Sequence, residues 1–302
     1  MNADNVRDCF NDSQSSVIER LLSFDPKVSP SIDSWTRPEG GGGKSCAYAN
    51  GNFLEKGGIN FSDVQGASLP PTALSNHSDL SGSPFRAMGV SIVFHPINPH
   101  VPTAHANIRF FSTKNKEGED VWWFGGGFDL TPYYPILSDV IYWHQQAKDC
   151  CDKYDQKFYN KFKTQCDEYF YLPHREETRG VGGIFFDDLV IGDFSTTLNF
   201  CKDVLKVFAD SYFSISEKRK GLPFTKSQKQ FQNYRRGRYV EFNLVYDRGT
   251  HFGLQSNGRT ESILMSMPPR ADWAYDWKPH KGSKEDDLYQ NYLKPIDWLN
   301  LP

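Results

Sequence analysis

"AMGVSIVFHPINPHVPTAHANIRFFS" (residues 87–112) contains two runs of strand-forming residues separated by a connection carrying Pro96, Pro99 and Pro102. Residues 87–95 and 104–112 therefore predict two strands. In the second run, side chains alternate by face. His105, Asn107 and Arg109 share one side of the pleat; Ala106, Ile108 and Phe110 share the other. The apolar side suits a core. The opposite side presents an imidazole, an amide and a guanidinium together. That combination suits a carboxylated ligand, because arginine offers a forked pair of donors. A solvated outer sheet face is the competing reading.

Working outward, residues 46–64 read as strands with turns at Asn50-Gly51 and Gly57-Gly58, and residues 121–130 (VWWFGGGFDL) as a further strand. Residues 2–22 place Val6, Phe10, Val17 and Leu21 on one helical face. Residues 66–84, rich in Pro, Ser and Asn, read as a long surface loop. Helices are predicted from Ser138 or Asp139 to about Cys151, over 155–171, from Ser195 or Thr196 to about Tyr212, and over 225–236. YVEFNLVYD (239–247), HFGLQS (251–256) and ESILMSM (261–267) read as strands. Strands at both ends with helices between predict an α+β fold with an antiparallel sheet, and no internal repeat or linker divides the chain.

Composition narrows the class. The chain has 302 residues, 24% charged and 38% hydrophobic, which is ordinary for a globular protein. Its formal net charge of −3 gives no footprint for nucleic acid. No apolar run approaches the roughly 18 residues of a membrane span. The N-terminus (MNADNVRDCF) lacks an apolar signal core. The six cysteines form no C-x-x-C and read as reduced, buried thiols. A cytoplasmic protein is expected. Aromatics reach 15%, which suits a large core, with or without a pocket for a flat apolar ligand.

PEGGGGKS (38–45) lacks the first glycine of a phosphate-binding loop and the strand–helix context such a loop needs. A glycine-rich lid or a passive loop is expected instead. His95, His100 and His105 follow no standard ligand spacing. Asp129 lies between Gly125–Gly127 and a Thr-Pro; it reads as a functional acid or a turn-former, and the glycines would let a planar ligand approach the backbone. HREETRGVGGIFFDDL (174–189) adds two arginines and the pair Asp187–Asp188, for which a strand-end turn is the simpler role. Arg259 on a Gly-containing turn offers another anion contact.

Five segments, GGGGKSCAYANGNFLEKGGINFS, MGVSIVFHPINPHVPTAHANIRFF, WWFGGGFDLTPYYP, HREETRGVGGIFFDDL and YVEFNLVYDRGTHFGLQSNGRTESILMSMPP, together resemble the oxygen-dependent coproporphyrinogen III oxidase family over roughly residues 35–300. The resemblance implies a homodimer whose subunit is one domain over residues 1–302, a large antiparallel sheet flanked by helices. It also implies oxidative decarboxylation of two propionates of coproporphyrinogen III to vinyl groups, giving protoporphyrinogen IX, with dioxygen as co-substrate and no organic cofactor. By motif, Ser91, Asn107, Ile108, Arg109, Asn257, Gly258 and Arg259 would bind substrate. His105 would donate a proton and Asp129 would face the pyrrole N–H groups. His95, His105, His144 and His174 match positions described as ligands of a divalent metal in some members, whereas others work without metal. Asn257 departs from the glycine usual there. The substrate's four carboxylates against a net −3 require local cations, with Arg109 and Arg259 first and Arg175, Arg179 and Lys44 after them. A redox-neutral decarboxylase or a non-catalytic tetrapyrrole carrier remain the other classes. The radical alternative would need a C-x3-C-x2-C, which is absent.

Overall fold

The structure is a computed structural model describing residues 2–38, 40–69, 77–255 and 258–301. Helix α1 (Ala3–Phe24) is followed by strands β1 (Ser29–Thr36), β2 (Gly41–Ala49), β3 (Leu54–Gly66), β4 (Phe85–Pro96), β5 (Thr103–Lys114) and β6 (Asp120–Thr131). Helices α2 (Leu137–Asp152) and α3 (Phe158–Tyr169), the short strands β7 (Tyr171–Leu172) and β8 (Glu177–Thr178), and strand β9 (Gly182–Leu189) come next. Helices α4 (Phe194–Arg219), α5 (Lys226–Val245), α6 (Arg248–Gln255), α7 (Thr260–Leu264) and α8 (Lys284–Asn291) complete the chain. The main sheet has the order β1-β2-β3-β4-β5-β6-β9, and every pairing is antiparallel. The fold is α+β with an antiparallel main sheet, as expected, but its described strands all lie before residue 190 and not at both ends of the chain.

The register explains the two faces. Val93 pairs with His105 and His105 with Asp129; Ser91 pairs with Asn107, and Gly89 with Arg109. The intervening residues Ile92, Ala106, Ile108, Phe110 and Phe128 are fully or almost fully buried. They join one core with Phe200, Val204 and Phe208 of α4. Most of the aromatic excess belongs to this core: Phe128 meets Trp143 edge-on at 4.8 Å, and Phe94 stacks on Tyr212 at 5.3 Å.

The sequence reading fails in the C-terminal third. YVEFNLVYD and ESILMSM are not strands; α5 runs through to Val245 and α6 and α7 follow. A capping box at Thr225 and Gln228 starts α5. Its buried residues Phe231, Arg235, Tyr239 and Phe242 are spaced three and four apart, the helical period. Gly57-Gly58 is no turn either. It lies inside β3, where a Cβ on Gly58 would sit 2.6 Å from the Met265 methyl. Residues 41–45 of the glycine run are strand β2, not a loop or lid. Helix α2 starts after Ile136 instead of Ser138 or Asp139. Of the predicted loop 66–84, residues 70–76 lie outside the described residues. No described helix is long and apolar enough to cross a membrane.

Candidate active site

Helices α5–α7 lie over the polar face of the sheet and enclose a cavity of about 450 Å³ with it. His105, Asn107 and Arg109 all border it, as do Ser91, Gly258 and Arg259. Ile108 borders it too, but its side chain is in the core on the other face. Asn257 lies outside the described residues. Segments that pin the helices to the sheet are polar: Ser45 Oγ meets Ser262 Oγ at 2.7 Å, and His95 Nε2 donates to the Ser266 carbonyl at 2.8 Å.

Among the described residues four arginines border the cavity: Arg37, Arg109, Arg248 and Arg259. Arg248 was not foreseen, and neither was Arg37. Arg259 is ion-paired with Asp33 of β1, which holds the Asp33 carboxyl below its usual range. Arg109 and Arg248 both approach Asp187. The other cations proposed from the sequence are placed elsewhere. Arg175 binds Glu241 at 2.6 and 2.9 Å, Lys44 does not border the cavity, and Arg179 is buried beneath it.

Asp129 is not on the cavity wall. It is 2% exposed and lies behind His105, whose Nδ1 is 2.9 Å from Asp129 Oδ1. Arg179 Nη2 donates to both carboxylate oxygens at 2.7 and 2.8 Å, and Arg179 Nη1 donates to Asn243 at 2.8 Å. The guanidinium is packed against the rings of Phe170, Tyr239 and Phe242 at 4.3, 4.5 and 4.7 Å. Burial alone would raise the Asp129 carboxyl. The Arg179 charge and the His105 hydrogen bond outweigh it and hold the group below the usual carboxylate range. With Asp129 engaging Nδ1, Nε2 is the ring nitrogen left for a ligand.

The carboxylate that does face the cavity beside His105 is Asp247. It accepts from Tyr169 Oη at 2.7 Å, from the Thr250 N–H at 2.7 Å and from Thr250 Oγ1 at 2.8 Å. Burial pushes it upward, but these donors and nearby His105 hold it below its ordinary value. It is ionised near neutrality with lone pairs left to accept a further proton donor. Asp247 also caps the first turn of α6 through the Thr250 N–H. The spacing Asp-x-x-Thr in "DRGT" is a helix-start signal that the strand reading concealed.

The glycines at 125–127 play a different part from the one expected. None of the three borders the cavity. Gly126 and Gly127 have φ of 152° and 145°, and a Cβ on either would strike the backbone of a neighbouring strand.

The four candidate metal ligands are not brought together. His95 is buried between Thr103 and the Ser266 carbonyl and His144 between Tyr159 and the Val181 carbonyl, whereas His174 is exposed and bonded to Tyr246 and Glu241. Among the described residues no three His, Cys, Asp or Glu side chains converge as ligands would. The histidines do not fit a common ion, and no step below passes through one. His100, in the bend between β4 and β5, does not border the cavity. A family model described as coproporphyrinogen III oxidase matches residues 5–298.

Proposed function

The chain belongs to the coproporphyrinogen III oxidase family, and on that premise we propose that it converts two propionates of coproporphyrinogen III to vinyl groups, giving protoporphyrinogen IX with dioxygen as the oxidant. Family membership makes it an oxidoreductase of porphyrin biosynthesis. The observation that carries the finer reading is the pairing of an arginine-lined cavity with an ionised, ligand-facing carboxylate.

In each round a propionate, dioxygen and one proton become a vinyl group, carbon dioxide and hydrogen peroxide. The β-carbon loses the equivalent of a hydride to oxygen, and the C–C bond to the carboxylate supplies the electron pair of the new double bond. The arginines bind and orient the carboxylates. Asp247 accepts the hydrogen bond of a pyrrole N–H and helps take its proton. A pyrrole is weaker as an acid than a carboxylic acid by roughly ten pKa units, about 14 kcal/mol, so its anion does not accumulate and transfer is concerted with attack on oxygen. His105, oriented by Asp129, supplies the proton that the oxygen takes up. The role given to Asp129 from the resemblance, facing the pyrroles, passes in this reading to Asp247.

Arg109→Lys tests the carboxylate contact. Lysine keeps the charge but loses the fork, and a hydrogen bond to a charged group is worth about 1.5–3 kcal/mol. KM for coproporphyrinogen III rises at least tenfold (about 1.4 kcal/mol), read from steady-state kinetics. An unchanged KM removes Arg109 from the substrate site, and no conversion by the wild type refutes the reading as a whole. The same membership supports a homodimer, and the N-terminal sequence and cysteine usage support action in the cytoplasm. Sedimentation showing the active species as a monomer contradicts the dimer.

A further inference from the structure

Strand β9 carries two consecutive acids just before its last residue, Asp187 and Asp188. In a regular strand they would face opposite sides. Here the ladder steps from Gly126↔Phe186 to Phe124↔Leu189, so two residues of β9 oppose the single Gly125. Asp188 adopts a left-handed φ of 49°. This bulge puts both acids on the cavity. Asp188 is engaged by His77 at 3.0 Å. Asp187 lies between two arginines: its Oδ2 is 3.0 Å from Arg248 Nη2, and its Oδ1 is 3.5 Å from Arg109 Nη2.

The two contacts differ. Arg109 Nη2 is buried and has no hydrogen-bond acceptor among the described residues. Its approach to Asp187 is electrostatic attraction at a distance too long for a hydrogen bond. Both guanidiniums also lie over the Phe185 ring, at 6.0 and 5.7 Å. Space for this arrangement comes from Gly125, where a Cβ would sit 2.7 Å from Asp187 Oδ1 and 3.3 Å from Arg109 Nη2.

We propose that Asp187 is a resident counterion of the arginine pair: it neutralises Arg109 and Arg248 in the empty site, yields Arg109 to an incoming substrate carboxylate, and neutralises the pair again once that carboxylate has left. The inference rests on the decarboxylation reading above. Loss of a carboxylate as carbon dioxide removes a negative charge from the site while both guanidiniums stay. A partly buried cation without a partner is costly. An internal carboxylate within reach removes that cost from the product state, and for the same reason weakens ground-state binding of the substrate. Asp187 is thus a specificity-determining residue, set to hold carboxylates less tightly than the four arginines alone would.

The test compares tryptophan-quenching titrations with coproporphyrin III (four carboxylates) and protoporphyrin IX (two), together with steady-state kinetics. Asp187→Asn is expected to bind coproporphyrin III at least fivefold more tightly than the wild type, with a smaller change for protoporphyrin IX, and to lower KM and kcat together. Asp187→Glu keeps the charge and stays near the wild type in binding. Asp187→Ser removes the same charge with less bulk and repeats the Asn result should the Asn variant fold poorly. Equal or weaker binding of coproporphyrin III by the neutral variants, or a raised KM, overturns the proposal, because a scaffold for the arginines would give that result. A wild type that does not bind coproporphyrin III at all instead overturns the oxidase reading.

Discussion

Asp247→Asn is expected to fold and to lose turnover by about 10²–10⁴-fold, the usual cost of removing a general base. The amide is nearly isosteric with the carboxylate. Its oxygen still accepts from the Thr250 N–H and hydroxyl, and asparagine is as good a helix cap as aspartate. Tyr169 can turn its hydroxyl to accept from the amide. What the variant cannot do is take a proton. KM should change little, because the arginines proposed to bind carboxylates are untouched. Turnover within a few-fold of the wild type would return Asp247 to the role of a helix cap.

Asp129→Ala is expected to cost stability and, because it also releases His105 Nδ1, turnover with it. It strands Arg179, which is 1% exposed and held against three aromatic rings. Breaking a buried ion pair from one side costs about 3–5 kcal/mol, because the remaining charge cannot reach water. Arg179→Met should cost a similar amount from the other side, where the Asp129 carboxylate would keep only His105. The double variant should cost less than the two singles together, by at least about 2 kcal/mol, since neither charge is then left alone. Denaturant midpoints of the four proteins measure this. Additive losses, or a single-variant loss below about 1 kcal/mol, would mean the pair is not a unit.

The sheet and one side of the site were legible because a strand exposes its period directly. His105, Asn107 and Arg109 at every second position, with Ala106, Ile108 and Phe110 between them, allow one placement against a core. The C-terminal third carried a misleading signal. Val240, Phe242 and Leu244 alternate with Glu241 and Asn243 and imitate a strand. Tertiary context overrides it: Leu244 and Val245 are exposed, at 47% and 55%, while Arg235 and Tyr239 are buried. That error hid Asp247 and Arg248, which begin a helix only if α5 has just ended. Asp129 read as a functional acid or a turn-former, and neither reading made it buried, since nothing local to "GGGFDLTP" shows that Arg179, fifty residues on, closes over it. The acids at 187 and 188 looked like a strand-end turn. Only the register with β6 shows the bulge that brings both to the cavity.

The central claim is that this cavity couples loss of a carboxylate to reduction of dioxygen. The most direct measurement follows coproporphyrinogen III with and without oxygen, recording dioxygen consumed, carbon dioxide released and the porphyrin recovered after oxidation. The account predicts one dioxygen consumed for each carbon dioxide released, a two-carboxylate product, and no turnover under strict anoxia. Carbon dioxide released at an undiminished rate without oxygen would contradict it and make the chain a redox-neutral decarboxylase.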